Sequence, residues 1–275
     1  MCDVCVMNAV KEKMLSRRDL FKKSGLALAA GAALASTAVA PAAMAAGHAK
    51  VEDLTHDYDE TFPTYFGKPG YAAEQLFKFK ESGFNLLNLT VNEHTGTHMD
   101  APLHFSEDGQ AVNEIPVENL IVPLCVIHIH DKASEDADAQ VTPDDLKKWI
   151  SKNGPIPDKA CVAMHSGWSK HVGTDKYRNV GSDGKTMHFP GFHVEATKML
   201  LEETNTVGIA ADTLSLDHGP SADFATHYAW LPQNRWGIEN IANLEKVPAA
   251  GATLVVGAPK HKGGTGGPAR IFAMV

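Results

Sequence analysis

Short apolar runs, separated by polar stretches that contain Gly and Pro, dominate the chain from residue 47 onward. Runs of roughly four to eight apolar or β-branched residues are typical of strands. The pattern predicts strands over residues 51–59, 84–93, 120–130, 207–211, 253–257 and 269–275, with further strands around Cys161 and before Glu239.

Two segments carry the signals of helices. The first begins at Pro143, with Thr142 as N-cap and two aspartates in the first turn, and it runs to about Lys152 before an Asn-Gly-Pro sequence. A second helix is predicted over residues 194–204. Because strands and helices are mixed without a repeat or a break in composition, we predict one domain of the α/β class with mixed α+β character.

Two other stretches are predicted to be irregular. Residues 62–71 are rich in aromatic residues, Pro and Gly, and they read as a loop. Residues 167–191 are rich in Gly, Lys and Asp and have no apolar periodicity. We therefore expect residues 167–191 to form an insertion over the functional site or at a subunit contact.

The first 46 residues have the pattern of an export signal. Paired arginines in SRRDLFKK at residues 16–23 precede an Ala-rich apolar run, and Ala-Met-Ala stands at residues 43–45. This order predicts a twin-arginine signal peptide over residues 1–46 and a periplasmic domain over residues 47–275. The alternative is a retained N-terminal anchor, although the apolar run is short for a membrane span.

Composition limits the partners. Without the six basic and three acidic residues of positions 1–46, the formal charge changes from −8 to −11. An acidic protein without a basic patch is not expected to bind nucleic acid, or to associate stably with a membrane after signal cleavage. Cys125 and Cys161 each lie within an apolar run, which predicts buried free thiols, with a disulfide as the alternative in an oxidising compartment.

The segment EHTGTHMDAPLHF contains the main candidate chemistry. His94, His98, Asp100 and His104 fall within eleven positions. The Gly, the Pro and the β-branched threonines exclude a metal-binding helix, so a strand ending in a tight loop is favoured. Imidazole and carboxylate groups together suit Zn, Mn, Fe or Ni, and the alternative is a polar loop that happens to be rich in His.

Further ligands are needed to complete such a site, and two residues are the best candidates. His227 lies among aromatic residues in FATHYAWL, and Glu239 ends a short apolar stretch in RWGIENIANL. A carboxylate in a strand is costly to bury unless a cation or donor meets it. The alternatives are a hydrogen-bonded structural histidine and a solvated strand end.

Four segments together resemble a known family. HTGTHMDAPLHF, ADTLSLD at residues 211–217, IENIANL and GGTGGPARIFAMV are similar to the cyclase-type metal-dependent hydrolases, which include bacterial kynurenine formamidases and isatin hydrolases. The resemblance covers nearly all of the chain after the signal. It implies a swivelling β/β/α fold with a barrel-like central sheet flanked by helices, and a homodimer or homotetramer.

The resemblance also implies a ligand set for a divalent metal, Zn or Mn, with one or two ions per subunit. In the formamidase branch the residues that match His94 and His98 bind one metal, and the one that matches Asp100 bridges two. The spacing of His227 and Glu239 matches a second-metal ligand and a bridging carboxylate. The long segment 167–191 is instead similar to isatin hydrolases, which resemble a one-metal arrangement.

The resemblance also assigns His104 and Tyr65, whereas His188 and Asp217 are suggested by their places in HFPGFH and ADTLSLD. His104 matches the family's proton donor and acceptor. Tyr65 stands where formamidases have a substrate-contacting Trp, and Phe66 follows it. His188 and Asp217 are further candidates for substrate binding, with Asp217 also able to orient a ligand.

These residues predict a metal-dependent amidohydrolase. A metal lowers the pKa of bound water from 15.7 to about 7 and polarises a carbonyl. We expect a metal-bound hydroxide to cleave a non-peptide C–N bond in a small-molecule amide, either an aryl formamide or a cyclic amide. The alternatives are a cyclase or dehydratase acting on a carbonyl substrate, and a non-catalytic periplasmic protein that binds a metal or ligand.

Overall fold

The computed structural model describes residues 50–275, so the predicted signal peptide lies outside the described residues. The strands in this range are β1 (Val51–Asp53), β2 (Tyr71–Phe77), β3 (Leu86–Val91), β4 (His98–Asp100), β5 (Ile121–His128), β6 (Gln140–Val141), β7 (Cys161–His165), β8 (Gly191–Phe192), β9 (Gly208–Ala211), β10 (Trp236–Glu239), β11 (Ala252–Gly257), β12 (Gly266–Pro268) and β13 (Arg270–Met274).

The α-helices in the same range are α1 (Phe79–Ser82), α2 (His130–Glu135), α3 (Pro143–Asn153), α4 (Asp175–Arg178), α5 (Val194–Glu203) and α6 (Ala225–Trp230). Short 3-10 turns complete the regular structure. None of the helices between residues 50 and 275 has the length and apolar character of a membrane span.

Residues 73–88 form a compact unit of their own. Strands β2 and β3 make a two-stranded sheet, with α1 between them. Its side chains are largely exposed, including Leu76, Phe79, Leu86 and Leu87. The strand predicted over residues 84–93 is confirmed as β3, whereas β2 was not predicted.

A nine-stranded sheet dominates residues 48–72 and 89–275, of which the structure describes positions 50 onward. Its order is β1-β13-β11-β5-β7-β9-β10-β4-β12, and it curls into a half-barrel flanked by helices. Strands β5, β7, β9 and β10 pair in parallel, and the other pairings in this sheet are antiparallel. The predicted mixed α/β class with a barrel-like sheet is confirmed.

The parallel strands are buried on both faces, which explains their near-continuous apolar sequences. Val126 and Ala163 pack into one core on one face, and Cys125 and Val162 pack with Trp149 into a second core on the other. Cys125 and Cys161 are free and buried, as predicted. Burial raises the pKa of the Cys125 thiol to about 12, which keeps it protonated at neutral pH.

Helix α3 begins as its sequence predicts. The Thr142 side chain accepts a hydrogen bond from the Asp145 backbone N–H, and the Asp145 carboxylate accepts one from the Thr142 N–H at 2.8 Å. Lys132 in α2 donates to the same carboxylate at 2.7 Å. A cap of this kind contributes about 1 kcal/mol.

Two predicted elements differ in the structure. The strand predicted over residues 51–59 ends at Asp53, because the Asp53 carboxylate accepts a hydrogen bond from the Thr55 N–H at 3.1 Å and turns the chain. The strand predicted over residues 120–130 ends at His128, and helix α2 begins at His130. Its short Ala/Asp/Glu sequence carries too few apolar positions to show helical periodicity.

The segment over residues 167–191, predicted to be irregular, contains a small cluster of buried aromatic and apolar side chains. Trp168, Tyr177, Met187 and Phe189 are buried against Leu214. The indole N–H of Trp168 donates to the Tyr177 carbonyl at 3.0 Å. These anchors are irregularly spaced, so they produce no period in the sequence.

Candidate active site

The short strand β4 brings two of the candidate ligands, His98 and Asp100, onto one face. Side chains alternate along a strand, so His98 and Asp100 point the same way while Met99 is buried in the core on the other side. Strand β10 pairs with β4 in antiparallel register and places Glu239 opposite His98 and Gly237 opposite Asp100. A Cβ at Gly237 would lie 2.6 Å from Leu216 and 3.3 Å from the Asp100 carboxylate, so glycine keeps this space open.

The loop before β4 and helix α6 add the other histidines. Gly96 has a φ of 65°, a conformation that favours glycine, in the turn that connects His94 to β4. His94 Nδ1 lies 2.8 Å from Asp100 Oδ1. His227, in α6, places Nε2 3.1 Å from Glu239 Oε1.

We call this group, formed by His94, His98, Asp100, His227 and Glu239, the carboxylate cluster. The structure therefore brings together all five side chains that the sequence proposed as metal ligands. His98 Nε2 lies 3.2 Å from Glu239 Oε2 and 3.4 Å from Asp100 Oδ1, and His227 Nε2 lies 3.8 Å from Asp100 Oδ2.

The electrostatics of the cluster favour a cation. Burial opposes ionisation of Asp100, yet the neighbouring side chains of His227, His94 and His98 hold its pKa well below the ordinary value. Burial likewise disfavours the charged form of His98, but Asp100 and Glu239 raise its pKa to about 10. Two buried carboxylates thus require positive charge beside them, which a divalent metal supplies with neutral imidazole ligands.

Two atoms of the cluster also lack a suitable partner among the described residues. His98 Nε2 and Asp100 Oδ2 are buried and make no hydrogen bond, although carboxylate oxygens approach His98 Nε2 closely. Ligand atoms of His98, Asp100 and Glu239 lie within 4.8 Å of one another, as do those of His94, Asp100 and His104. The donor set therefore fits one or two divalent ions that share Asp100.

His104 lies beside the cluster, on a 3-10 turn over Pro102–Phe105. Its ring stacks on that of His94 with a centroid separation of 3.8 Å and an interplanar angle of 22°. Burial lowers the pKa of His104 to about 4, so the side chain is a neutral imidazole at neutral pH. A neutral imidazole can accept a proton from one atom and return it to another.

A cavity of about 750 Å³ opens onto His94, His98, His104, His227 and Glu239. Its apolar wall includes Tyr65, Phe66, Phe105, Leu214 and Phe224. The rings of Tyr65 and Phe224 lie 5.7 Å apart, and those of Phe105 and Phe224 lie 5.6 Å apart. An aromatic wall facing a polar cluster suits a flat aryl substrate with a polar reacting group.

Tyr65 and Phe66 line this cavity, but the other two predicted substrate-binding residues do not. His188 Nδ1 lies 2.8 Å from an oxygen of Asp138 and is not among the lining residues. Asp217 accepts hydrogen bonds from His227 Nδ1 at 2.6 Å and from the Thr226 N–H at 2.8 Å. Asp217 therefore orients a candidate ligand, the alternative raised from its sequence, and leaves His227 Nε2 facing the cluster.

Several positioning residues were not identified from the sequence. Asn240 donates to the Gly96 carbonyl at 2.8 Å and accepts a hydrogen bond from the Tyr177 hydroxyl at 2.7 Å. His98 Nδ1 is 3.0 Å from the same Gly96 carbonyl, which holds the ring with Nε2 toward Glu239. Asn240 directly follows Glu239 in the sequence, and this position next to a candidate ligand could have indicated its role.

A second set supports His94. The Thr265 hydroxyl lies 3.0 Å from His94 Nε2 and donates to the Glu93 carboxylate at 2.5 Å. Glu93 also contacts His261. Thr265 belongs to the Gly-rich segment GGTGGPAR near the end of the chain. The family resemblance of this segment implied no role for the Thr265 hydroxyl.

Comparisons with known proteins identify the family of this chain. Residues 52–218 match the Cyclase family. The isatin hydrolase of Roseibium aggregatum is 32% identical over 196 residues, covering 68% of this chain and 73% of that protein. The kynurenine formamidase of Salinibacter ruber is 27% identical over 192 residues, covering 69% of this chain and 80% of that protein.

A solved structure extends the similarity to the fold. Isatin hydrolase A from Labrenzia aggregata, bound to benzyl benzoate, superposes with a TM-score of 0.79 at 36% identity, covering 84% of this chain and 96% of that one. Sequence and fold thus give the same assignment. The chain belongs to the Cyclase family, as an amidohydrolase related to the isatin hydrolases and kynurenine formamidases.

Proposed function

We propose that the protein is a metal-dependent hydrolase that opens a cyclic aryl amide of the isatin type. The observation that carries this proposal is the buried carboxylate cluster, with its unpaired His98 Nε2 and Asp100 Oδ2, at the base of an aromatic cavity. The similarity to isatin hydrolases in sequence and fold supports the choice of a cyclic amide.

The proposed cofactor is a divalent ion, Zn or Mn. His98, Asp100 and Glu239 would hold one ion, and His94 and His227 lie where they can complete that site or a second one. When bound, such an ion acidifies water and polarises a carbonyl. Asp217 fixes the ring of His227 and the Gly96 carbonyl fixes that of His98, so their nitrogens are oriented before substrate arrives.

Other residues of the cavity would bind the substrate and transfer the proton. Tyr65, Phe105 and Phe224 can pack against an aryl ring and exclude water from its faces. In the hydrolysis, water adds to the amide carbonyl carbon and the C–N bond breaks. His104 takes a proton from the attacking water and returns it to the leaving nitrogen, giving an aniline and a carboxylic acid, which loses its proton to solvent.

A second candidate is an open aryl formamide. Two groups of ligand atoms share Asp100, and the sequence likeness to formamidases implies a two-metal arrangement of this kind. The product would be formate and an arylamine, with His104 in the same role. Tyr65, in place of a Trp in those enzymes, is the residue that faces the ring in either case.

The test is hydrolysis of isatin and of N-formyl-kynurenine by the full chain, reconstituted with Zn or Mn. We expect turnover of isatin, with the turnover of the His104→Ala variant lowered by a factor of about 10² or more and the His171→Ala variant unchanged as a matched control. Turnover of N-formyl-kynurenine alone would replace the cyclic amide with the open one. No turnover of either by metal-loaded protein would favour a cyclase, a dehydratase or a binding protein.

We also propose export by the twin-arginine route and assembly as a homodimer or homotetramer. The paired Arg17 and Arg18 support the first, and the family resemblance supports the second. Replacing both arginines by lysine should retain the protein in the cytoplasm in a cell fractionation. Light scattering of the purified enzyme should give a mass two or four times that of the subunit, and a monomer would refute the assembly.

A further inference from the structure

Three histidines converge at the carboxyl ends of β5 and β7, away from the cavity described above. His128 ends β5 and His165 ends β7, and the two residues are direct partners in the parallel register. Partners in neighbouring strands project to the same face of a sheet. His130 begins helix α2 two residues later, and the Ile129 N–H donates to the His165 carbonyl at 2.9 Å.

We call His128, His130 and His165 the tri-histidine cluster. His128 Nδ1 and His165 Nδ1 lie 2.8 Å apart. The His130 ring centroid is 5.8 Å from that of His128 and 5.4 Å from that of His165. One nitrogen from each of the three rings falls within 4.8 Å of the others, so the three rings form a group that could hold one ion.

The setting of these rings differs from that of an ordinary core histidine. His165 is buried, whereas His128 and His130 are exposed, so the cluster has a fixed base and an open side. Each of the three rings offers one nitrogen to the cluster as a ligand atom. Neutral imidazole is the form that binds metals.

We infer that the tri-histidine cluster is a second metal site, which takes one imidazole-preferring transition ion such as Zn²⁺ and completes its coordination with solvent. Three nitrogen ligands without a carboxylate suit Zn²⁺, Cu²⁺ or Ni²⁺ and exclude Mg²⁺ and Ca²⁺. The site is separate from the carboxylate cluster, since β9 lies between β7 and β10 in the sheet. None of the three rings lines the cavity.

Nearby charges set the strength of this site. Lys152 and Lys170 oppose positive charge on His128 and His165 respectively, while Glu245 favours it on His165. The Asp131 carboxylate lies 3.4 Å from His130 Nε2 but is exposed. The net environment is less favourable to a dication than that of the carboxylate cluster, so we expect the tri-histidine cluster to bind more weakly and to lose its ion first to a chelator.

The test is a Zn²⁺ titration of the metal-free full chain in competition with a chromophoric chelator. The parent should bind one equivalent more than the His130→Ala variant, and the His171→Ala control should match the parent. Because His130 is exposed, its replacement leaves the fold intact, which circular dichroism checks. Equal stoichiometry in the parent and His130→Ala would overturn the site.

A spectroscopic arm identifies the ligands. Cu²⁺ bound to the Asp100→Ala variant should show electron paramagnetic resonance splitting from about three nitrogens. A spectrum with mainly oxygen ligands, or one unchanged by adding His130→Ala, would refute the assignment. Both readouts count metal or nitrogen directly, so they stand even where the chain hydrolyses neither isatin nor N-formyl-kynurenine.

Discussion

The carboxylate cluster and the tri-histidine cluster contain similar ligand atoms in opposite surroundings. The first buries Asp100 and Glu239 with His98 and His227 between β4, β10 and α6, and the half-buried His94 lies beside them. The second has no carboxylate among its three rings, and two of those rings face solvent. The chain thus offers one site in which charge is buried and one in which it is not.

This difference in buried charge determines how strongly each site depends on a cation. Two buried carboxylates repel each other, and isolated buried charges cost several kcal/mol each. Neutral imidazoles at the surface carry no such cost and are stable without an ion. We therefore expect the carboxylate cluster to be linked tightly to metal and activity, and the tri-histidine cluster to be linked only weakly to stability and not to turnover.

The largest effect is expected when Asp100 is replaced. Asp100→Ala removes the carboxylate that both groups of ligand atoms share, so the variant should lose metal from the carboxylate cluster and show no turnover above background. The count of bound metal by mass spectrometry should fall while the tri-histidine cluster keeps its ion. Full occupancy of the carboxylate cluster in Asp100→Ala would refute the bridging role.

His104→Ala should have the next largest effect. Loss of a positioned proton carrier lowers kcat by a factor of about 10² to 10⁴, and the metal content should stay at the parental value. Steady-state kinetics and metal analysis on the same sample separate the two. A variant that loses metal together with turnover would make His104 a ligand, which the geometry of the group with His94 and Asp100 also permits.

Asp217→Asn should weaken metal binding without abolishing it. The carboxylate fixes the His227 ring through a 2.6 Å contact, and loss of such support typically lowers metal affinity by about 10- to 100-fold. Competition with a chelator measures the change. Asp223→Asn, on the exposed loop that leads to α6, is the matched control and should bind as the parent does.

Tyr177→Phe should have the smallest effect of the four. The variant removes the hydroxyl that donates to Asn240, and one such hydrogen bond contributes about 0.5–1.5 kcal/mol to the free energy of unfolding. Urea denaturation measures the change, with the exposed Tyr228→Phe as control. Equal unfolding free energies in the two variants would show that the Tyr177–Asn240 bond contributes nothing.

Much of the fold was predictable because its elements carry local signals. Strands β5 and β7 are apolar enough to be predicted from their own sequences, and the cap of α3 is predictable from the residues Thr142 to Asp145. Strand β12 was missed, since Gly-Gly-Pro has no strand pattern and exists as a strand because it pairs with β4. Such elements are created by tertiary contacts and leave no periodicity.

In the candidate site too, some residues were predictable from local sequence and others were not. The spacing from His94 to His104 predicted a site directly, whereas His227 and Glu239 needed the family resemblance and Asn240 was not identified. His188 was placed at the cavity from its sequence alone, but its partner Asp138 is fifty residues away along the chain. Long-range pairings of this kind cannot be read from neighbours in sequence.

The pairing of β4 has a consequence for how this region tolerates change in length. Met99 alternates with His98 and Asp100, and the strand is held in register by β10 on one side and β12 on the other. Shifting the strand by one residue would turn both ligands into the core and present Met99 to the cavity. In a mutational scan, one-residue insertions and deletions between His94 and His98 should therefore be tolerated far less than substitutions at the intervening threonines.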